Sequence, residues 1–339
     1  MKLRRLAVLA LSAAFGFGLC AGARAQVQDR TIKVGIGLTA DHPQGQAVTR
    51  FGEIVGQKSS GKLKVRLFAG GSIGNDVTMI SSLQGGTLEM TVPDTSTLVG
   101  IQGLKEFGLI NLPFLFTRSE EADGLLDGPF GQKLMAKLPE RGLIGLGFWE
   151  NGFRHVTNSR RPIARADDFA GLKLRVIQNA LFIDTFSALG VAAQPMPFPE
   201  VYTALEQRVV DGQENPLATI LASKFYEVNK NTVLSNHIYS VWAFLMSKRF
   251  WDRLSAEEKQ IITDAAAEAK LYERQTIRAF DIKALEELKA NGMQVTTLPN
   301  EEVAKLREKT RPVWTKFTAE YGQASADEML AALKRTPAN

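Results

Sequence analysis

The residues best suited to grip an anion lie between Leu172 and Pro216. In the opening run Leu172-Lys173-Leu174-Arg175-Val176, three apolar residues alternate with Lys173 and Arg175, so a strand buries the apolar set and presents Arg175 on the other face. The planar guanidinium fork matches two carboxylate oxygens, and a sheet that holds it reduces the rotamer entropy lost when an anion arrives. Gln178 and Asn179 follow, placed to begin a helix whose free backbone N–H groups add to the same positive field. The stretch closes on Val210-Asp211-Gly212-Gln213-Glu214-Asn215-Pro216. The proline pushes Asn215 out of the helical region and ends a strand there, and the Asn215 amide can both donate to and accept from an oxygen-rich guest or cap the local turn.

Further candidates lie outside this stretch. Arg154 follows the turn signal Asn151-Gly152, which suits either a loop that aims a guanidinium into a cleft or a salt bridge. Asp94, in Val92-Pro93-Asp94-Thr95-Ser96, would accept hydrogen bonds from hydroxyls and repel a carboxylate, though Asp is also a common turn residue. Phe198 and Trp242 offer aromatic lining, with core packing as the competing role. His42 and His237 each offer a hydrogen bond, against the commoner structural use of histidine. No metal site is expected: the three histidines include no His-Glu-x-x-His pair, and the single cysteine is Cys20. Gly35-Ile36-Gly37-Leu38-Thr39-Ala40 imitates a dinucleotide fingerprint poorly, since Asp41-His42-Pro43 interrupts the helix start and the ribose-binding acid is missing. With no nucleophile elbow or phosphate loop, the chain carries no evident hydrolytic machinery and reads as a non-enzyme without cofactors.

The elements that must position these residues alternate between strand and helix patterns, as in an α/β protein with mainly parallel sheets. Segments 32–38, 63–68, 88–92 and 144–149 read as strands; 47–57, 75–83 and 132–138 read as amphipathic helices. From Ser255 to Asn291 the composition is that of one long helix, opened by the capping box Ser255-Ala256-Glu257-Glu258 and stopped before Gly292. At ~1.5 Å per residue it reaches roughly 50 Å, longer than a single lobe.

The N-terminus reads as a cleavable export signal over residues 1–25: Lys2, Arg4 and Arg5, an apolar run from Leu6 to Leu19, then Ala23-Arg24-Ala25. A lipidated Cys20 is the alternative, but Leu19 before it is a poor fit. The signal carries four basic residues and no acid, so its removal takes the formal charge from +5 to +1. No basic stripe with interleaved aromatics survives, which excludes a nucleic-acid partner.

Taken in order, Lys105-Glu106-Phe107, Leu112-Pro113-Phe114-Leu115-Phe116, Glu150-Asn151-Gly152-Phe153-Arg154, Lys224-Phe225-Tyr226-Glu227-Val228 and the Arg175–Asn215 segment resemble the solute-binding proteins of TRAP transporters, the tripartite ATP-independent periplasmic carriers. The resemblance implies a two-lobed periplasmic binding protein with crossing hinge strands, mixed sheets and a long helix spanning both lobes. By that likeness one lobe takes 26–150 plus 241–277, the other 151–240 plus 278–322, and 323–339 form a tail helix. It also implies that the arginine at 175 pairs with a ligand carboxylate, that Arg154 assists, and that Asn215 binds from the opposite wall. The expected partners are a small organic carboxylate and the integral membrane subunits of the transporter, with the receptor a periplasmic monomer. The likeness covers receptors for sugar acids and four-carbon dicarboxylates. Asp94 and the phrases around Arg154 and Gln178 favour a hexuronate such as glucuronate or galacturonate; succinate, malate or a keto acid is the alternative, and a periplasmic enzyme or sensor module a more distant one.

Overall fold

The computed structural model describes residues 27–335, so the expected export signal lies outside the described residues. Eleven strands form two mixed sheets. They are β1 (Arg30–Gly35), β2 (Leu63–Phe68), β3 (Met90–Thr91), β4 (Leu143–Phe153), β5 (His155–Asn158), β6 (Lys173–Val176), β7 (Ala192–Pro195), β8 (Gly212–Asn215), β9 (Asn231–Leu234), β10 (Tyr239–Ser247) and β11 (Gln294–Thr297). The first sheet runs β2-β1-β3-β10-β4, and the second runs β11-β9-β5-β8-β6-β7. Each is the floor of one lobe.

Two strand passages join the lobes, beside the long helix described below. β4 leaves the first sheet at Phe153 and re-enters the second as β5 at His155, while β9 leaves the second at Leu234 and returns as β10 at Tyr239. The Arg154 N–H donates to the Ile238 carbonyl at 2.9 Å, which ties the two passages together at the crossing. The switch therefore falls at Arg154 and Ser235–Ile238, slightly inside the range expected for the second lobe. β4 and β10 pair antiparallel with irregularities at Ser240/Val241 and Phe244/Leu245. Opposite them stand Gly152 (φ 109°) and Gly147 (φ 142°), conformations that a side chain would strain, as β-bulges commonly require.

The long helix, Ala256–Ala290, starts from the expected capping box: Ser255 N donates to Glu258 Oε2 at 2.7 Å, and Glu258 N to Ser255 Oγ at 3.1 Å. Its first half buries Ile262, Ala265, Ala266 and Ala269 against Ile32, Phe51 and Phe244 of the first lobe. Its last turns bury Ala284 and Leu288 with Val201, Leu205 and Val210 of the second. One rigid element thus serves two cores.

The helix Asn300–Tyr321 departs from the expected second-lobe assignment. Its Leu306, Val313, Phe317 and Tyr321 share a core with Phe107 and Leu109 of the first lobe and with Phe182 and Phe186 of the second. The Tyr321 ring lies so close to Gly108 that a Cβ there would come within 2.3 Å of Cε2, so this helix docks where only glycine leaves room. The final helix, Gln323–Ala332, buries Met329 and Leu330 in the same cluster. Among the described residues no helix is long and apolar enough to cross a membrane.

Candidate functional site

A cavity open at one margin lies between the lobes, where the carboxyl ends of parallel strands from both sheets meet, as open α/β sheets place their ligands. From the first lobe come Gly37 and Leu38 beyond β1, Val92 and Asp94 beyond β3, Trp242 on β10, and Gln44 and Asp76 at two helix starts. From the second come Arg175 on β6, Gln178, Phe198, Asn215 at the end of β8, and Thr219. Arg154 and Asn151 join them from the crossing strand. The cavity volume is about 70 Å³, several times the ~10–15 Å³ that one water needs.

Arg175 is 3% exposed, with both neighbours in β6 also buried. The strand is therefore central and covered on both faces, rather than half-solvated as the alternation suggested. Arg175 Nε and Nη2 donate to the Met196 carbonyl at 2.9 and 2.6 Å, and the guanidinium lies 5.8 Å over the Phe198 ring. These contacts fix the fork and leave its remaining N–H groups without a protein partner. Burial draws the Arg175 pKa down to about 10, opposed by the charge of Glu214, so it is cationic at neutral pH.

Arg154, 1% exposed, is held differently. Its Nε and Nη2 form a fork-to-fork pair with Glu214, Nη1 donates to Ser240 Oγ at 3.1 Å, and Nη2 reaches Asn215 Oδ1 at 3.1 Å. Burial alone would raise the Glu214 carboxyl, but the Arg154 charge and a hydrogen bond from His237 overcome it and hold Glu214 below its ordinary value. Arg154 is thus both a lining residue and one half of a buried ion pair at the crossing, the two roles that the sequence left open. Asn215 has its Oδ1 on Arg154 and donates through Nδ2 to Gln213 Oε1, which orients the amide at the cavity wall.

Of the other expected residues, Asp94, Gln178, Phe198 and Trp242 line the cavity, Gln178 at its exposed margin. Asp94 is capped by Ser96, whose N–H and hydroxyl donate to Oδ1 at 2.9 and 2.6 Å. Burial raises the Asp94 pKa against the pull of Arg154 and Ser96. His42 and His237 do not reach the cavity, a correction to their candidacy. His42 Nδ1 accepts from Gln44 N–H at 3.0 Å, and its Nε2 stands 3.2 Å from Thr219 Oγ1, so it supports the lining from behind. Burial pulls the His42 pKa to about 3 and keeps the ring neutral. His237 bonds Ser235 and Glu214 and packs edge-on against Phe186, braced behind Arg154.

Polar lining residues that went unread in the sequence include Gln44, Asp76, Asn151 and Thr219. Gln44 Oε1, Asn151 Oδ1 and Asp94 Oδ2 are buried oxygens with no partner on the protein, which ordinarily marks a place where a guest or water completes the bonding. Gln44 is oriented by its Nε2, which donates to the Val92 carbonyl at 3.0 Å. Asn151 stood inside a quoted phrase; Asp76 had a signal in Asn75-Asp76, which caps and opens a helix. Among the described residues no group of His, Cys, Asp and Glu is disposed to hold a metal ion.

Arginine donors on one side and unpaired acceptor oxygens on the other give this cavity the chemistry to hold a small hydroxylated anion. The family described as bacterial extracellular solute-binding protein, family 7, matches residues 34–320. The chain belongs to this family. Members of family 7 are transport receptors rather than enzymes. A sugar acid binding protein from Advenella mimigardefordensis, solved in complex with galactonate, is 45% identical with a TM-score of 0.89, covering 91% of this chain and 99% of that one. A TRAP periplasmic solute-binding protein from Polaromonas sp. JS666 bound to D-erythronate is 36% identical with a TM-score of 0.84, over 89% of this family 7 chain and 98% of its own. The 2,3-diketo-L-gulonate-binding periplasmic protein of Escherichia coli is 35% identical over 88% of this chain and 89% of its own.

Proposed function

We propose that this family 7 receptor captures a six-carbon sugar acid in the periplasm and hands it to the membrane subunits of a TRAP transporter. The sequence favours a hexuronate such as glucuronate or galacturonate; the sugar-acid complexes of its relatives widen that to open-chain aldonates such as galactonate. One observation carries the reading: a buried guanidinium, Arg175, fixed by Met196 and Phe198, presents unpartnered donors to the cavity between the lobes. A carboxylate fits that fork, while sugar hydroxyls supply the hydrogens that Gln44, Asp94 and Asn151 lack. A four-carbon dicarboxylate would set its second charge near Asp94. Both walls come from one chain, so the proposed working form is a monomer.

Calorimetry on the mature protein with glucuronate, galacturonate, galactonate, succinate, malate and galactose tests it. A sugar acid should bind in one-to-one stoichiometry, more tightly than either dicarboxylate, and galactose should not bind. Tight galactose binding, or a preference for succinate, would overturn the assignment.

A further inference from the structure

The two walls of the cavity carry opposite charge. Arg175 and Arg154 stand on the second-lobe side and at the crossing; facing them from the first lobe are two acids, Asp76 and Asp94. Asp76 is the first residue of the helix Asp76–Gly85, and its Oδ2 accepts the Asp94 backbone N–H at 3.2 Å, so the two acidic residues are locked side by side. Asp76 Oδ1 also lies 3.7 Å from where a Cβ on Gly37 would sit, which places the carboxylate beside the chain leaving β1. Asp94 Oδ1 is taken by Ser96, and Asp94 Oδ2 is buried without a protein partner.

A carboxylate with an unused oxygen accepts a hydroxyl hydrogen readily but repels another carboxylate, and the penalty is large where water is excluded. Two carboxylates side by side sharpen that discrimination and also make one of them easy to protonate. The charged groups acting on Asp76 are Asp94 and Arg175; those acting on Asp94 are Arg154, Glu214, Arg175 and Asp76. Burial above all, and then the Asp94 charge, lift the Asp76 pKa to about 6 against the pull of the Asp94 N–H and Arg175.

We propose that Asp76 and Asp94 form a proton-dependent selectivity wall, which at neutral pH accepts the distal hydroxyls of a polyhydroxy monocarboxylate and rejects the diacid of the same length, and which admits the diacid once Asp76 is protonated. This rests on the reading that Arg175 holds the first carboxylate. With its proton, Asp76 becomes a donor to the second carboxylate instead of a like charge.

The test compares two matched pairs, galactonate with galactarate and erythronate with tartrate, by calorimetry at pH 7.5 and 5.5. Free carboxylates ionise near pH ~4, so the ligands change charge little over this interval. In the wild type the monoacid should bind at least ten-fold tighter than its diacid at pH 7.5, and that ratio should fall at least five-fold at pH 5.5. Asp76→Asn should bind the diacid at pH 7.5 about as well as the wild type does at pH 5.5, with less than a two-fold change in ratio between the two pH values. A wild-type ratio that ignores pH, or one that still responds to pH in Asp76→Asn, would overturn the wall. Arg175→Ala separates the two claims: binding lost in that variant, together with a pH-independent ratio in the wild type, sinks the wall alone; binding retained in the variant sinks the carboxylate assignment; and absence of binding of all four compounds to the wild type sinks both.

Discussion

The side chain that most constrains this site is Arg175, and its value lies in what its neighbours leave free. Met196 and Phe198 hold the fork, and no acid is bonded to it, whereas Arg154 is consumed largely by Glu214. Truncating Arg175 removes the free charge; truncating Arg154 leaves the Glu214 carboxylate buried without its guanidinium and with His237 as its remaining side-chain partner, which damages the fold as well. Arg175→Ala should therefore weaken sugar-acid binding by roughly 30-fold to a few thousand-fold, about 2–5 kcal/mol, with the thermal midpoint of the ligand-free protein little changed. Arg175→Lys should also bind more weakly than wild type, because an ammonium cannot reproduce the fork. Calorimetry showing near-native affinity in either variant would remove Arg175 from the carboxylate role. At this scale the sequence was legible where a local phrase carries its own geometry: Arg175 on a short strand, Asn215 before a proline, Asp94 at a strand exit. It was mute where the role depends on a partner far along the chain. Nothing local to Arg154 announces Glu214, and nothing near His42 announces Thr219, so two buried histidines looked like ligand contacts. Gln44, Asp76 and Asn151 take their places at the cavity through the packing of separate elements.

Among the elements, the helix Ala256–Ala290 and the two crossing passages decide how the walls are held relative to one another. The helix was readable almost to the residue because its capping box and its terminal Asn291-Gly292 are local signals. β3 was not: the expected 88–92 strand shrinks to Met90–Thr91, since beyond it the chain turns out to deliver Asp94 to the cavity. The helix Asn300–Tyr321 bridges both lobes through contacts its own periodicity cannot reveal. On the long helix, Asp281 Oδ1 accepts the Ala218 N–H at 2.8 Å, pinning it to the start of the second-lobe helix Leu217–Ala222. Burial raises the Asp281 pKa to about 6, opposed by that hydrogen bond and assisted by the Glu150 charge. An acid whose folded-state value lies above its unfolded value costs stability when ionised, and the cost is relieved as pH falls from about 6 to below ~4. Asp281→Asn keeps the acceptor and deletes the charge. It should be more stable than wild type by about 1–3 kcal/mol at pH 7.5, with the advantage shrinking toward zero near pH ~4. Urea midpoints at pH 7.5, 5.5 and 4 would read this, and an advantage that did not vary with pH would contradict the assigned cause.

For the whole molecule, the question is what holds the lobes shut. Few polar contacts cross the cleft: Asn179 Nδ2 donates to the Ser96 carbonyl at 2.8 Å, and His42 Nε2 meets Thr219 Oγ1 at 3.2 Å. Gly71 lies against Pro199 so closely that a Cβ would come within 2.5 Å of the ring. A guest whose carboxylate sits on Arg175 and whose hydroxyls reach Gln44 and Asp94 would join both walls, and so favour the closed arrangement by its differential affinity for it. Asn179 isolates the protein's own share of that balance. Its Oδ1 caps the helix Ala180–Ser187 through the Leu181 N–H at 2.7 Å, a bond internal to the second lobe, while its Nδ2 makes the cross-cleft bond. Serine caps a helix about as well as asparagine but has no second donor to reach Ser96. Asn179→Ser should accordingly leave the thermal midpoint of the ligand-free protein nearly unchanged, while weakening sugar-acid binding about 2- to 10-fold, as expected for one hydrogen bond worth about 0.5–1.5 kcal/mol that exists only when the lobes meet. Small-angle scattering should show compaction on saturation with ligand in both proteins, with the variant needing more ligand to reach it. Equal ligand requirements in variant and wild type would mean that this bond does not contribute to closure.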